Sequence, residues 1–217
     1  MEPHRQTELA LPRAILRDAT AFKRLLDIGI AAVLLMALLP IGLLVALAIK
    51  LADGGPVIFW QRRVGQAGCT FWFPKFRSMH VGAEHMHDIM VSEQDDQDAI
   101  TFKMRHDPRM TPIGRIIRTL SLDELPQLWC VMKGDMSMVG PRPPLPKEVA
   151  RYTPLAHRRL EVRPGLTGLW QVSGRSTIPF AHQLALDLEY IDNHSLALDL
   201  KLLLLTVPAV LSCRGAW

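Results

Sequence analysis

From Ile28 to Ile49 the chain runs for twenty-two residues without a single charge. About 20 apolar residues are enough to cross the hydrocarbon core of a bilayer, so this segment reads as a membrane helix. Two features constrain how it sits there. Arg17, Lys23 and Arg24 precede it, and Lys50, Arg62 and Arg63 follow it. The positive-inside tendency draws both flanks to the cytoplasm. Pro40 stands near the middle, where it removes a backbone donor and crowds the preceding turn, bending the helix. The residues ahead of Pro40 would reach only about 18 Å at helical rise, short of the roughly 30 Å hydrocarbon layer. A segment that enters, bends at Pro40 and returns fits both facts, and a kinked spanning helix is its competitor.

The remaining sequence is long enough for one globular domain. The 217 residues are 49% hydrophobic and carry 25 Lys and Arg against 21 Asp and Glu, a net charge of +4. That excess lies beside the apolar run and in later arginine-bearing turns, which suits a membrane surface and a phosphate-rich ligand. No stretch interleaves dense Lys and Arg with aromatics, so nucleic acid is not an expected partner. Cys69, Cys130 and Cys213 are odd in number and widely spaced, which points to free thiols in a reducing compartment. His80, Glu84, His85 and His87 form a loose group that fits no helix face, and a solvated loop is the simpler reading. The apolar run begins too far in, and lacks the small-residue cleavage site, for a signal peptide.

Three parts are expected: a tail with an amphipathic segment (1–22), a re-entrant membrane helix (23–52) and a catalytic domain (53–217). The amphipathic pattern runs on from Leu11 to Asp27 and suits a helix lying in the interface. Val57 to Trp60 and Thr70 to Phe76 read as short strands. A short helix and a loop are expected over 82–98. Thr111-Pro112 starts a helix as N-cap and first helical residue. Ser121 to Glu124 matches a capping box opening a helix that ends at Gly134. Asp187 to Tyr190 and Leu196 to Val210 read as helices, the second interfacial.

The chemistry lies in short strings. Adjacent Asp123 and Glu124 could merely compensate a helix dipole. Arginines surround them in sequence: Asp107-Pro108-Arg109 and Arg115 to Arg118 lead in, and Gly140-Pro141-Arg142-Pro143, Arg163-Pro164-Gly165 and Ser173-Gly174-Arg175 set theirs in Gly/Pro turns. Such turns let backbone approach an anion, and the guanidinium fork grips phosphate oxygens. A carboxylate can hold Mg²⁺ on a pyrophosphate or attack phosphorus itself.

Taken in order, Lys23-Arg24-Leu25-Leu26-Asp27, Gly55-Pro56-Val57, Gln61 to Gly65, Lys75 to Met79, Ser121 to Leu128, Val139 to Pro143 and the two late arginine motifs resemble the bacterial sugar transferases. These are small monotopic phosphoglycosyl transferases, and the likeness runs from Lys23 to the C-terminus. It implies a helix-rich α/β catalytic domain with short strands, a re-entrant membrane helix and interfacial amphipathic helices. The implied reaction moves a galactose- or glucose-type hexose-1-phosphate from a UDP-sugar to undecaprenyl phosphate, starting exopolysaccharide or O-antigen assembly on the cytoplasmic face of the bacterial inner membrane. Asp123 is the implied covalent nucleophile and metal ligand, Glu124 its catalytic partner, and Mg²⁺ or Mn²⁺ the cofactor. Implied substrate-binding residues are Lys75, Arg77, Arg118, Pro141, Arg142, Arg163, Gln171, Arg175, Asp187 and Asp199. Partners are the UDP-sugar, the lipid phosphate and membrane lipids, with a homodimer also compatible.

Two positions depart from the family pattern. Leu39 replaces a common serine before Pro40, and Cys130 replaces a common Asn. Larger members carry further N-terminal membrane helices and a sensor-like domain, and the reading here is of a form without them. Two rivals explain part of the sequence: a membrane-anchored lipid-headgroup binder without catalysis, and a metal-dependent UDP-sugar hydrolase. The binder leaves Asp123-Glu124 and the arginines without a task, and dependence of product on lipid separates the hydrolase.

Overall fold

The computed structural model describes residues 21–83, 107–213 and 215. The first element is a single helix, α1 (Ala21–Asp53), which carries Pro40 within it. At helical rise its 33 residues extend about 50 Å. Most of its apolar side chains stay exposed, Met36 and Leu44 at 70% and 67%. Only Asp27, Ala31, Val45 and Ile49 are buried, as two pairs spaced i, i+4. The first pair faces the main core, where Ala31 joins Phe73, Leu128, Val131, Met136 and Leu202. Val45 and Ile49 pack with Phe76 and Ile117 in a second, smaller cluster. Both halves of α1 thus rest on one domain.

Strand β1 (Ile58–Val64) pairs antiparallel with β2 (Thr70–Phe76), with Gln61 opposite Phe73. Side chains alternate across a strand. Phe71 and Phe73 therefore turn into the core, and Lys75 follows them onto that inner face. Helix α2 (Pro112–Thr119) opens as its sequence indicates: the Thr111 hydroxyl accepts from the Gly114 amide. Next come a 3-10 helix over Leu122–Gln127 and α3 (Leu128–Lys133), closed by Gly134 at φ 99°. Strand β3 (Ser137–Val139) lies parallel to β4 (Gly165–Thr167). Two single-turn helices, α4 (Pro146–Val149) and α5 (Pro154–His157), lie between those strands. After β4 come α6 (Leu169–Ser173), α7 (Phe180–Asn193) and α8 (Leu196–Leu211).

One local expectation is corrected. Ser121 makes no capping bond, because it sits in the left-handed region at φ 56°. The segment after it is 3-10, not α: Pro126 has no amide to donate four residues back. Residues 84–98 of the expected helix and loop, with Glu84, His85 and His87 among them, and the amphipathic residues 11–20 lie outside the described residues.

Lys23 and Asp27 lock the root of α1 to the domain. Asp27 accepts from the Ser137 hydroxyl at 2.8 Å and the Met138 amide at 3.2 Å. Lys23 reaches Asp199 on α8 at 2.5 Å, and the Tyr190 hydroxyl donates to the same carboxylate at 2.8 Å. Arg24 donates to the carbonyls of Val131 and Met132 at the end of α3. Strand β3, held this way at its start, leads directly into Gly140-Pro141-Arg142.

Candidate active site

The 3-10 helix sets Asp123 and Glu124 into a polar cavity of about 370 Å³. Ser121 terminates α2 in a strained left-handed turn, and its hydroxyl accepts from Arg175 Nη2 at 2.8 Å. Arg175 is itself left-handed at φ 55°. Two non-glycine residues in this conformation, bonded to each other beside a carboxylate pair, mark a place where the fold holds strain. The bond ties the turn after α6 to the turn that carries Asp123.

Glu124 is engaged on both sides. Arg142 donates to its Oε1 at 2.7 Å, and Lys75 Nζ stands 3.8 Å from the same oxygen. Burial alone would raise the Glu124 carboxyl, but Arg142 and Lys75 outweigh it and hold it down to about 2. Asp123 differs: among the described residues it makes no ion pair and accepts no hydrogen bond. It is 7% exposed. Burial, reinforced by the neighbouring Glu124 charge, pushes its carboxyl up to about 6 against the pull of Lys75, Arg118 and Arg142. Of the two neighbours, Glu124 is the bonded carboxylate and Asp123 the unengaged one. Lys75 is drawn down to about 7, first by burial on the inner face of β2 and then by Arg142.

Seven basic side chains line the cavity against four carboxylates. Lys75, Arg118, Arg142, Gln171 and Arg175, all expected at the site, converge there with Asp123 and Glu124. Arg118 Nη1 donates to the Met110 sulfur. Gln171 is oriented by donating to the Leu166 carbonyl at 3.1 Å.

The other expected residues lie elsewhere. Arg77 pairs with Asp53 and lines a neighbouring cavity. Pro141 is fully buried, and its carbonyl accepts from the Gly165 amide at 2.9 Å. Arg163 does not line the cavity. Asp199 is spent on Lys23 and Tyr190. Asp187, 1% exposed, acts at one remove: it holds Arg159, 2.8 Å away, and Arg159 does line the cavity.

The glycines have a role other than the expected one. A Cβ on Gly140 would lie 2.5 Å from the Arg163 carbonyl and 2.9 Å from the Gly165 amide nitrogen. These glycines let the Gly140-Pro141-Arg142 and Arg163-Pro164-Gly165 turns press backbone to backbone, which aims Arg142 at Glu124.

This cavity joins strings that comparison with known proteins also recognises. Residues 18–213 match the bacterial sugar transferase family. The chain belongs to that family. It is 41% identical over 198 residues to the exopolysaccharide production protein ExoY of Sinorhizobium fredii, covering 90% of this chain and 88% of that protein. It is 41% identical to a UDP-glucose:undecaprenyl-phosphate glucose-1-phosphate transferase of Caulobacter vibrioides, covering 90% of this chain and 72% of the relative. It is also 49% identical over 166 residues to the galactosyl transferase CpsE of Streptococcus agalactiae; the match covers 76% of this chain but only 36% of that larger protein.

Several residues of this sugar transferase's site escaped sequence reasoning. Arg63 donates to the Pro143 carbonyl at 2.9 Å, and burial followed by Arg142 lowers its guanidinium to about 10. The sequence showed it only as a cation flanking the apolar run, within the Gln61 to Gly65 motif. Arg159 had no such signal. It stacks on Tyr152 and Phe180, donates to the Arg142 carbonyl, and is held from α7 by Asp187.

The family implies a divalent metal. No group of three or more His, Cys, Asp or Glu side chains able to hold one exists among the described residues. The donor chemistry nevertheless fits Mg²⁺, which takes one or two carboxylates and completes its shell with water and substrate phosphates. Asp123 offers an unengaged oxygen pair in a cavity able to admit a pyrophosphate.

Proposed function

We propose that this sugar transferase moves a galactose- or glucose-type hexose-1-phosphate from a UDP-sugar to undecaprenyl phosphate, releasing UMP and initiating exopolysaccharide or O-antigen repeat units. The observation that carries the reading is Asp123: a buried, unengaged carboxylate facing a cavity rich in arginine. In the first step an Asp123 carboxylate oxygen attacks the β-phosphorus. The bond from that phosphorus to the bridging oxygen breaks, and UMP leaves with the electron pair. In the second step an oxygen of the lipid phosphate attacks the same phosphorus, and the Asp123 carboxylate departs. Arg118, Arg142 and Arg175 offset the charge that grows on the phosphoryl oxygens. Glu124 fixes Arg142 and Lys75 in place throughout. Mg²⁺ held by Asp123 and the diphosphate would supply Lewis-acid stabilisation of the leaving phosphate.

The membrane seat is read as re-entrant, at the cytoplasmic face of the inner membrane. Support comes from α1: both its halves pack on one domain, and a domain lies on one side of a bilayer. The exposed apolar side chains of α8, including Leu204 at 74% and Leu211 at 77%, suit an interfacial position. The names of the relatives above, one a galactosyl transferase and one a glucose-1-phosphate transferase, support the sugar class.

The test is a burst. Enzyme with UDP-galactose or UDP-glucose and no lipid should release about one UMP per active site, with a hexose-phosphate adduct on the intact protein. Asp123→Asn should abolish both. Full turnover without burst or adduct would remove Asp123 from the nucleophile's role.

A further inference from the structure

The chain that leaves α8 comes back to the active site. Cys213 and Gly215 both take left-handed backbone, at φ 53° and 66°. Residues in this conformation turn the chain, and Gly215 comes to lie in the wall of the polar cavity. Helix α8 prepares the return by packing on α6, which leads directly into the Arg175 turn. Its Thr206 hydroxyl also meets that of Thr167 on β4 at 2.7 Å.

Gly215 has no side chain, so what it offers the site is backbone. Its carbonyl accepts from the Ser176 amide at 3.3 Å. A Cβ in its place would lie 2.7 Å from the Gly174 carbonyl oxygen and 3.1 Å from the Arg175 Cβ. The first of these neighbours is backbone and cannot swing aside. A left-handed turn alone would favour glycine here, because glycine adopts positive φ at little cost. The close approach to Gly174 and Arg175 is a second and separate demand for it.

Arg175 needs such a hold. It is a non-glycine residue at φ 55°, a conformation that persists only where the surroundings over-determine it. Its side chain reaches across the site. Nη2 donates to the Ser121 hydroxyl at 2.8 Å, and Nη1 is buried without a hydrogen-bond partner among the described residues. Relaxing the backbone at Arg175 would swing the guanidinium out of this position.

We propose that Gly215 is a positioning residue for the transfer reaction: its backbone pins the Gly174-Arg175-Ser176 turn in its left-handed form and so aims the Arg175 guanidinium into the cavity. Gly215 itself touches no reacting atom. This rests on the role given to Arg175 in the reaction proposed above and adds what holds that residue in place. A Cβ at position 215 would displace the turn. The loss should then fall on the step in which charge grows on the phosphoryl oxygens, and hence on kcat more than on KM.

Steady-state UMP release by the full chain in phosphatidylcholine nanodiscs, with UDP-galactose or UDP-glucose and undecaprenyl phosphate, reads the effect. Gly215→Ala should lower kcat about tenfold and leave the KM for UDP-sugar within about twofold. Gly215→Asn should be no better: Asn accepts left-handed backbone, but it carries the same Cβ. Full recovery with Asn would show that φ alone selects glycine and would overturn the proposal. A double-mutant cycle asks whether the effect runs through Arg175. Once Arg175→Ala has removed the guanidinium, Gly215→Ala should cost less than about a further twofold. A second tenfold loss in that background would mean that Gly215 acts on something else. Amide hydrogen exchange supplies a readout that needs no turnover. The amides of Ser176, Thr177 and Ile178 bond to Gly215, Gly174 and Arg175 and so report the turn. In folded Gly215→Ala they should exchange about tenfold faster, and exchange at the unmodified rate overturns the proposal. If the unmodified enzyme releases no UMP with either sugar, the transfer reading fails, while the exchange result still judges the contact.

Discussion

Burial lifts the Asp123 carboxyl to about 6, while one residue on Glu124 is drawn down to about 2 by Arg142 and Lys75. Two consequences follow from the gap. As the proposed nucleophile, Asp123 must be ionised, so the lipid-free burst should slow as pH falls from 7 to 5. Glu124 charge is part of what raises Asp123, so Glu124→Gln should move this limb to lower pH, whatever it does to the maximal rate. Single-turnover UMP release across that range is the measurement, and a rate flat from pH 5 to 7 would contradict it. The second consequence is for stability. An unfolded Asp titrates near 3.9, as a rough reference. Because the folded value is higher, the folded chain binds more protons between about 4 and 6, and stability is lost as pH rises through that window. At neutral pH the full cost is present. Asp123→Asn removes it and should raise Tm by at least about 2 °C while abolishing the burst. An unchanged or lower Tm would show that the charge is better compensated than its surroundings indicate.

Among the elements, the links between distant segments divide what the sequence discloses from what it hides. Asp199 illustrates the hidden part. Its family position suggested substrate, yet it lies on α8, bonded to Lys23 from a point 176 residues earlier. No local pattern encodes a pairing at that separation. Breaking one partner of a buried pair typically costs about 3–5 kcal/mol. Asp199→Asn should accordingly lower Tm by roughly 6 °C or more and leave the KM for UDP-sugar within about twofold. A raised KM at unchanged Tm would return Asp199 to the substrate. Features fixed within a few residues were legible. The Thr111-Pro112 start of α2, the Gly134 stop of α3 and the strand over Thr70–Phe76 all depend on neighbours in sequence. So was the convergence of Lys75, Arg118, Arg142 and Arg175 on Asp123, because the motifs resembled a family, not because spacing alone brings them together. The Ser121 capping box failed for a physical reason: Ser121 is left-handed, not extended, and its hydroxyl meets Arg175 from 54 residues away. Arg159 stayed invisible for the same reason, its position depending on Asp187 from another helix.

At the scale of the whole molecule, α1 decides where the chemistry happens. Among the described residues it is the one helix long and apolar enough to cross a bilayer. Length alone would allow a span. Contacts argue otherwise, since Arg24 and Asp27 near its start bond α3 and β3, while Val45 and Ile49 near its end pack on Phe76 and Ile117. Placing those two ends on opposite faces of a membrane would tear one set of contacts away. It would also leave Asp27, 5% exposed, without the Ser137 and Met138 donors that satisfy it. The flanking cations favour the cytoplasm at both ends, each charged residue costing about 2.5–3.5 kcal/mol at the centre of a bilayer. The expectation is that the thiol introduced by Arg5→Cys, ahead of α1, and the native exposed Cys69, beyond it, are both shielded from an impermeant thiol reagent in intact cells and both labelled once the membrane is opened. Cys213, the other thiol not fully buried, is replaced by serine so that the two sites are read separately. If one of them, the introduced thiol or Cys69, labels in intact cells while the other does not, α1 spans the bilayer. The bonds from Lys23, Arg24 and Asp27 to α8, α3 and β3 would then have to be absent in the membrane. If both are shielded, both flanks of α1 lie on the side of the bilayer that carries the domain, as the contacts of Asp27 with β3 and of Ile49 with Phe76 require.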